Sequence, residues 1–332
     1  MRYLVNILVL IMSLIWVCGC ERQQDLCYNH EEHDRQAIDV VFDWSEDTTA
    51  SPVSMSLYLY NSTGKLHQRY EFAGGEGGRI YVTPGVYTAI AVNSDTEGAK
   101  TRFSDRLETF EIWLRDAVEL NGLSVRSDEA PRAPGTETER FAAASEPFWR
   151  ARSEGLTVRL GDYSTQTLVM HLTDAVCHYT VEFRNVENLN NVGLVSASIS
   201  GMSESMYLRD GSISSERVTV SYDLYHIDET TLMGQFMTFG HCGRSRARSR
   251  DGEDDHHTHS PEEFMHHVTL YAILEDGSQW FQAYDVTDQV HESPTANCHI
   301  IIDGLKMPDI QTGGGFRVEV DEWQSIEYVV PM

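Results

Sequence analysis

The chain has 332 residues, with 51 Asp and Glu against 25 Lys and Arg, a formal net charge of −26, and 41% hydrophobic residues. That length provides for two ordinary domains, each with its own core. A field this negative repels phosphate backbones and anionic lipid alike, which excludes nucleic-acid binding and electrostatic adsorption to a membrane as main functions.

The N-terminus carries Arg2, then a mostly apolar run over residues 4–16, then Val17-Cys18-Gly19-Cys20, after which the sequence turns charged at Glu21, Arg22 and Asp25. A basic start, a short apolar region and a small residue at the cut make a secretory signal. The run is shorter than the roughly 20 residues a membrane span requires. Val17, Cys18, Gly19 and Cys20 resemble the bacterial lipobox. This implies removal of residues 1–19, diacylglycerol on the Cys20 thiol and acylation of the new amino terminus, enough chains for stable anchoring. No later stretch is apolar enough to cross a membrane. With Cys18 removed and Cys20 lipidated, Cys27, Cys177, Cys242 and Cys298 remain, too scattered for a metal knuckle. In an oxidising envelope they form one or two disulfides or stay as free thiols, and the sequence leaves both open.

Residues 20–36 read as a lipidated tether, polar and aperiodic, in which His30 and His33 are solvated. From residue 37 the period becomes two. Ile38, Val40, Phe42 and Trp44 alternate with mostly polar neighbours, and Met55, Leu57 and Leu59 continue the pattern from Val53. Asn61-Ser62-Thr63-Gly64 predicts a turn. The glycines at 74, 75, 77 and 78 lack the Lys-Ser/Thr of a phosphate loop and predict a hairpin or loop. Ile80, Val82 and residues 86–92 predict strands around the turn Thr83-Pro84-Gly85. Residues 107–114 fit strand or helix, 124–140 a long loop on the first domain or a linker, and 141–149 a short helical or irregular piece.

A second strand series begins near residue 156 and runs through 167–172, 179–183, 195–199, 218–225, 235–239, 268–274, 280–286, 299–302, 316–320 and 326–330, with a hairpin turn at Glu275-Asp276-Gly277. Short strands without intervening helical periods predict an all-β fold of two tandem β-sandwiches, an N-terminal domain over 37–150 and a C-terminal one over 151–332. Residues 243–263 contain no large apolar side chain and predict a disordered insertion. His256, His257 and His259 within it, with His266 and His267 just beyond, are the candidates for a metal, because imidazole suits zinc, copper or nickel. A loop without a second shell does not fix ligand geometry, so no metal and no cofactor is expected.

Catalytic motifs are absent. Gly201-Met202-Ser203-Glu204-Ser205 lacks the last glycine of a nucleophile elbow, and there is no His-Glu-x-x-His, dinucleotide fingerprint or Walker lysine. Asp276, Asp285, Asp288 and Asp321 are the acids available to a glycosidase-like pair, but turns and solvated faces account for them, and no enzyme is expected.

Several dispersed segments carry a family likeness. They are Asp25-Leu26-Cys27-Tyr28-Asn29-His30, Phe42-Asp43-Trp44-Ser45, Pro84-Gly85-Val86-Tyr87, Asn93, Ser200-Gly201-Met202, Thr238-Phe239-Gly240, Asp285-Val286-Thr287, and Gly313-Gly314-Gly315-Phe316 through Val320-Asp321-Glu322-Trp323. Together they resemble the Bacteroidetes lipoproteins grouped as domain of unknown function 5119, which are similar to fimbrillin-like surface proteins. The resemblance implies transthyretin-like or immunoglobulin-like sandwiches and a lipid-held anchor or accessory subunit of a fimbrium at the outer membrane, with fimbrial subunits as partners. Residues 243–263 depart from the family pattern. In such an assembly Phe316, Val318, Val320, Trp323, Ile326 and Val329 would form a donor or edge strand, or an ordinary closing strand. The alternative is a surface lipoprotein that binds glycan or protein through Trp280, Phe281, Tyr284, Tyr58 and Tyr60; the third is an envelope enzyme.

Overall fold

A computed structural model of the chain describes residues 35–123, 125–159, 166–243, 265–294 and 296–310, and the backbone of 324–325. Its first strands are β1 (Gln36–Asp43), β2 (Ser54–Asn61), β3 (Leu66–Ala73), β4 (Gly77–Val82) and β5 (Gly85–Asn93). The period-two pattern of β1 buries Ile38, Val40 and Phe42 on one face, as alternation requires. The Asn61 carboxamide accepts the amides of Thr63 at 3.0 Å and Lys65 at 3.1 Å, which closes the β2–β3 turn on Gly64 at φ +72°. β3 had no strand signal of its own, since its outward residues His67, Arg69 and Glu71 are polar and it ends its sheet.

The chain then crosses to the other half of the molecule. β6 (Ala99–Arg102) and β7 (Glu111–Leu114) form a small sheet, and β8 (Arg140–Ala143) follows a long non-repetitive segment. It returns with β9 (Trp149–Val158), β10 (Gln166–His171) and β11 (Thr173–Asp174). The first sandwich is therefore β10-β1-β4 facing β11-β9-β5-β2-β3, and its core runs from Ile38 to Leu172. The expected division at residue 150 falls inside β9, whose residues 150–158 pair with β5. Residues 124–140, expected as a loop on the first domain or a linker, belong with the second half. Leu120, Leu123, Ala130 and Phe141 cluster there with Tyr271.

The second sandwich contains β12 (Cys177–Arg184), β13 (Val192–Ser203), β14 (Ser205–Tyr207), β15 (Arg217–Asp223), β16 (Tyr225–Asp228), β17 (Thr231–Thr238), β18 (His267–Leu274), β19 (Gln279–Asp285), α1 (Thr287–Glu292), β20 (Asn297–Asp303) and β21 (Gln324–Ser325). Its sheets are β16-β17-β12-β20 and β21-β19-β18-β13-β15-β8, while β14 joins β7 and β6. β8 runs parallel to β15, so the first half of the sequence supplies an end strand to the second sandwich. The described residues are all-β apart from short helical turns, as the patterning predicts. No helix among the described residues is long and apolar enough to cross a membrane.

One sheet serves both cores. β2 buries Met55, Leu57 and Leu59 toward the first core, while Tyr58 and Tyr60 on its opposite face join the second. There Phe110 packs against both rings, with centroids 4.6 and 5.9 Å away. Two fully buried tyrosines contribute about 2 kcal/mol each through area alone, which ties the two halves together.

Candidate functional site

Segments far apart in the sequence converge at one corner of the second sandwich. In β13 the register with β15 shifts between Ile199 and Met202, and Gly201 sits there at φ +75°. Its N–H donates to the Glu139 carboxylate at 3.0 Å, and its carbonyl accepts from the Cys242 amide at 3.0 Å. A Cβ on Gly201 would stand 2.5 Å from His266 Nδ1 and 2.8 Å from the Met265 carbonyl, so only glycine fits. Beyond β17 the Gly240 amide donates to Thr238 Oγ1 at 3.1 Å, its carbonyl accepts from Ser203 N at 3.0 Å, and Phe239 packs edge-on against Phe148. At the end of β19 the Asp285 carboxylate accepts from the backbone N–H and hydroxyl of Thr287 at 2.9 and 2.6 Å. Thr287 Oγ1 in turn accepts from His266 N at 2.9 Å.

Three imidazoles fill this corner. The rings of His241, His266 and His291 lie 5.0 to 5.7 Å apart, centroid to centroid. His266 is fully buried; its Nδ1 is 3.1 Å from the Ser200 carbonyl and its Nε2 3.2 Å from His291 Nε2. Tyr179 Oη meets His241 Nδ1 at 3.0 Å. Burial first, then the neighbouring His291, pushes His266 down to about 4, against the hydrogen bond to Ser200 O. Burial also lowers His267, which Asp285 and Glu139 oppose. Asp285 is lowered: burial raises it, and the Thr287 hydrogen bonds with His267 and His266 outweigh that. Burial raises the Cys242 thiol to about 12, which leaves it a poor nucleophile. The corner has the makings of a structural clasp, built on a neutral His266 ring, an Asp285 carboxylate held by Thr287 and a protonated Cys242 thiol.

Sequence reasoning found the three motifs here, named His266 and His267 only as metal candidates, and missed His241 and His291. Thr238-Phe239-Gly240 runs directly into His241, and that adjacency was the available signal. Of the proposed binding aromatics, Tyr58, Tyr60 and Trp280 are core, at most 3% exposed, while Phe281 and Tyr284 are partly buried against it. Asp276 accepts from Ser278 N and Oγ to shape the β18–β19 turn, and Asp285 is committed to Thr287, so these acids make no facing pair. Cys242 and Cys298 are free, buried thiols. Cys27, the lipobox residues Val17, Cys18, Gly19 and Cys20, the histidines His256, His257 and His259, and Phe316, Val318, Val320, Trp323, Ile326 and Val329 lie outside the described residues. Between the last of these, Gln324–Ser325 runs parallel to Trp280–Phe281 as β21. Among the described residues no group of three or more His, Cys, Asp or Glu is arranged to hold a metal.

Residues 19–223, more than half of the chain, match the family described as Domain of unknown function (DUF5119). The chain belongs to that family. Among relatives of this DUF5119 chain is a candidate fimbrium anchoring subunit, Fim4B, from Bacteroides ovatus. The two are 27% identical over 122 residues, which span 37% of this chain and 34% of that protein. The likeness thus covers about a third of the relative's length. A candidate adhesin from Bacteroides ovatus shares the fold, with a TM-score of 0.59 at 19% identity over 88% of this chain and 99% of its own. The fimbrial anchor protein Mfa2 from Porphyromonas gingivalis aligns over 81% of this chain and 90% of its own at 13% identity, with a TM-score of 0.48. These relatives are described as anchor and adhesin proteins, not enzymes.

Proposed function

We propose that this DUF5119 protein is a non-catalytic, cell-surface subunit associated with a fimbrium, in an anchoring or accessory position. The observation that carries this reading is the 27% identity over 122 residues with a fimbrium anchoring subunit. The lipobox supports the anchor: Cys20 would hold the mature chain on the outer membrane, with residues 20–34 as the lead into β1. Sheet edges support the assembly role, because an incoming strand joins an open edge through main-chain hydrogen bonds. β16 ends its sheet, all four of its residues are exposed, and Tyr225 and Ile227 stand 58% and 56% accessible. Phe316, Val318 and Val320, which alternate, with Trp323, Ile326 and Val329 would supply the complementary strand, either offered to a neighbouring subunit or closed on this chain's own sheet.

Metabolic labelling with a clickable fatty acid tests the anchor. Wild-type protein is expected in the outer-membrane fraction with label, and Cys20→Ala without label and released. Affinity purification of the lipidated protein from fimbriated cells is expected to recover fimbrial subunits. Recovery of the protein without any pilin-like partner would count decisively against the fimbrial role.

A further inference from the structure

Two features that folding alone does not favour lie close together in the loop between β6 and β7. Phe103 has φ +56° and is 60% exposed. Among the described residues the other non-glycine positions at positive φ are Asn185 and Asn188. Their short amide side chains suit that backbone, whereas a bulky ring does not. The Phe103 ring belongs to none of the buried clusters; the Arg102 guanidinium lies 5.3 Å from its centroid. Three residues on, Arg106 forms an antiparallel bridge with Lys65. Two exposed cations thus stand directly opposite each other, a destabilising pair, on a chain of net charge −26.

The loop needs neither feature to hold its shape. The Ser104 carbonyl accepts from Tyr60 Oη at 2.9 Å, the Asp105 carbonyl from Leu66 N at 2.9 Å, and the Gly64 carbonyl from Leu107 N at 2.8 Å. Leu107 itself is buried in the second core. A main chain held at so many points can carry strain at Phe103, and strain kept in this way points to a use for the ring. Beside the loop, β6 ends the sheet β14-β7-β6. Arg115 N donates to Gly98 O at 2.8 Å, and Ala99 stands opposite Leu114. Gly98, Lys100 and Arg102 therefore turn their main-chain groups to β7, and Thr101 turns its N–H and C=O outward. Lys65, Lys100 and Arg106 are exposed and form no ion pair among the described residues, while Arg102 is held by Glu111 and Glu204. Asp105 and Glu108 of the loop are exposed acids, so the corner lacks the negative field that the chain as a whole carries.

We propose that this corner is the docking surface for an acidic strand of a neighbouring protein subunit. Phe103 fills an apolar pocket on that subunit, the incoming strand pairs with Thr101 N–H and C=O, and its carboxylates meet Lys65, Lys100 and Arg106. Docking covers the exposed ring and supplies the opposed cations with the counter-charge they lack. On the fimbrial role proposed above, on which this assignment rests, the neighbour is a fimbrial subunit.

Affinity capture from fimbriated cells tests the surface, with the lipidated full chain as bait and fimbrial subunits quantified by mass spectrometry. Phe103→Asn is expected to recover about tenfold less of them than wild type. Its melting temperature is expected to hold or rise, because Asn suits the left-handed backbone and the ring supports no core. Arg106→Glu is expected to lose capture as well without loss of stability, since it gives Lys65 an opposite charge across the bridge. If wild type captures subunits and either variant captures as much, the docking surface is refuted and the fimbrial role stands. If wild type captures none, both fall. A melting temperature lowered by more than about 5 °C in Phe103→Asn would make the ring a structural element and refute the surface too.

Discussion

At Gly201 the backbone passes through φ +75°, and a Cβ there would meet a ring nitrogen and a carbonyl. Gly201→Ala combines left-handed strain with overpacking, and is expected to cost about 3 kcal/mol in urea denaturation. Gly277, at φ +82° with nothing within 4 Å of a Cβ, isolates the strain alone. Gly277→Ala is expected to cost about 1 kcal/mol, and equal losses at the two sites would remove the steric argument. His266 adds a pH dependence whose sign follows from its environment. Burial holds it neutral down to about 4, against an ordinary 6.5. Between those values the unfolded chain binds a proton that the folded chain does not. Stability is unaffected above about pH 6.5, falls by about 1.4 kcal/mol per unit below it, and levels off near pH 4. Melting temperatures across that range, wild type against His266→Gln, check the slope, and a flat wild-type profile would contradict it.

At the level of elements, the crossover strands β6–β8 are pinned by a stack absent from any pattern in the sequence. Arg102 and Arg140 lie over the Trp113 ring with centroid distances of 5.0 and 5.1 Å. Arg102 bonds Glu111 and Glu204 at 2.7 and 3.1 Å, and Arg140 bonds Asp116, the Leu114 carbonyl and Glu204 at 2.7, 2.9 and 3.1 Å. Half-buried guanidinium–indole contacts with forked ion pairs exceed the value of an exposed pair. Trp113→Ala is expected to cost about 2 kcal/mol. Arg140→Lys is expected to lose about 1 kcal/mol despite keeping its charge, because an ammonium neither forks nor stacks. Chemical denaturation of both variants measures this; an unaltered Arg140→Lys would mean that charge alone matters.

Across the whole molecule, the two sandwiches are interdependent. A fragment ending at residue 150 lacks all but the start of β9, and with it the partner of β5. One ending at 174 keeps the first core and Phe110 but loses the later strands that complete the core around Tyr58 and Tyr60. Circular dichroism and amide dispersion are expected to show the shorter fragment unfolded and the longer one soluble only in part, while the mature chain melts in a single transition. A stably folded 35–150 fragment would overturn the interdependence.

Much of this was legible locally. Alternation at Ile38, Val40 and Phe42, the Asn61–Gly64 turn and the punctuated strand spacing are short-range effects, so the all-β class and most strand positions follow from them. The family motifs marked the Gly201 corner, because a glycine forced by close packing leaves its signature in sequence. Partnership was not legible: Tyr58 and Tyr60 were also candidates for an exposed platform, and 124–140 for a linker, since periodicity tells which face is apolar but not what covers it. The sequence by itself determined the strand-rich class and the lack of catalytic motifs. Only the tertiary structure decided that the chain crosses between sandwiches, that one sheet serves both cores, and that His266 and His291 meet over α1. Those are contacts between residues tens of positions apart, and their energies depend on burial and geometry that no local pattern carries.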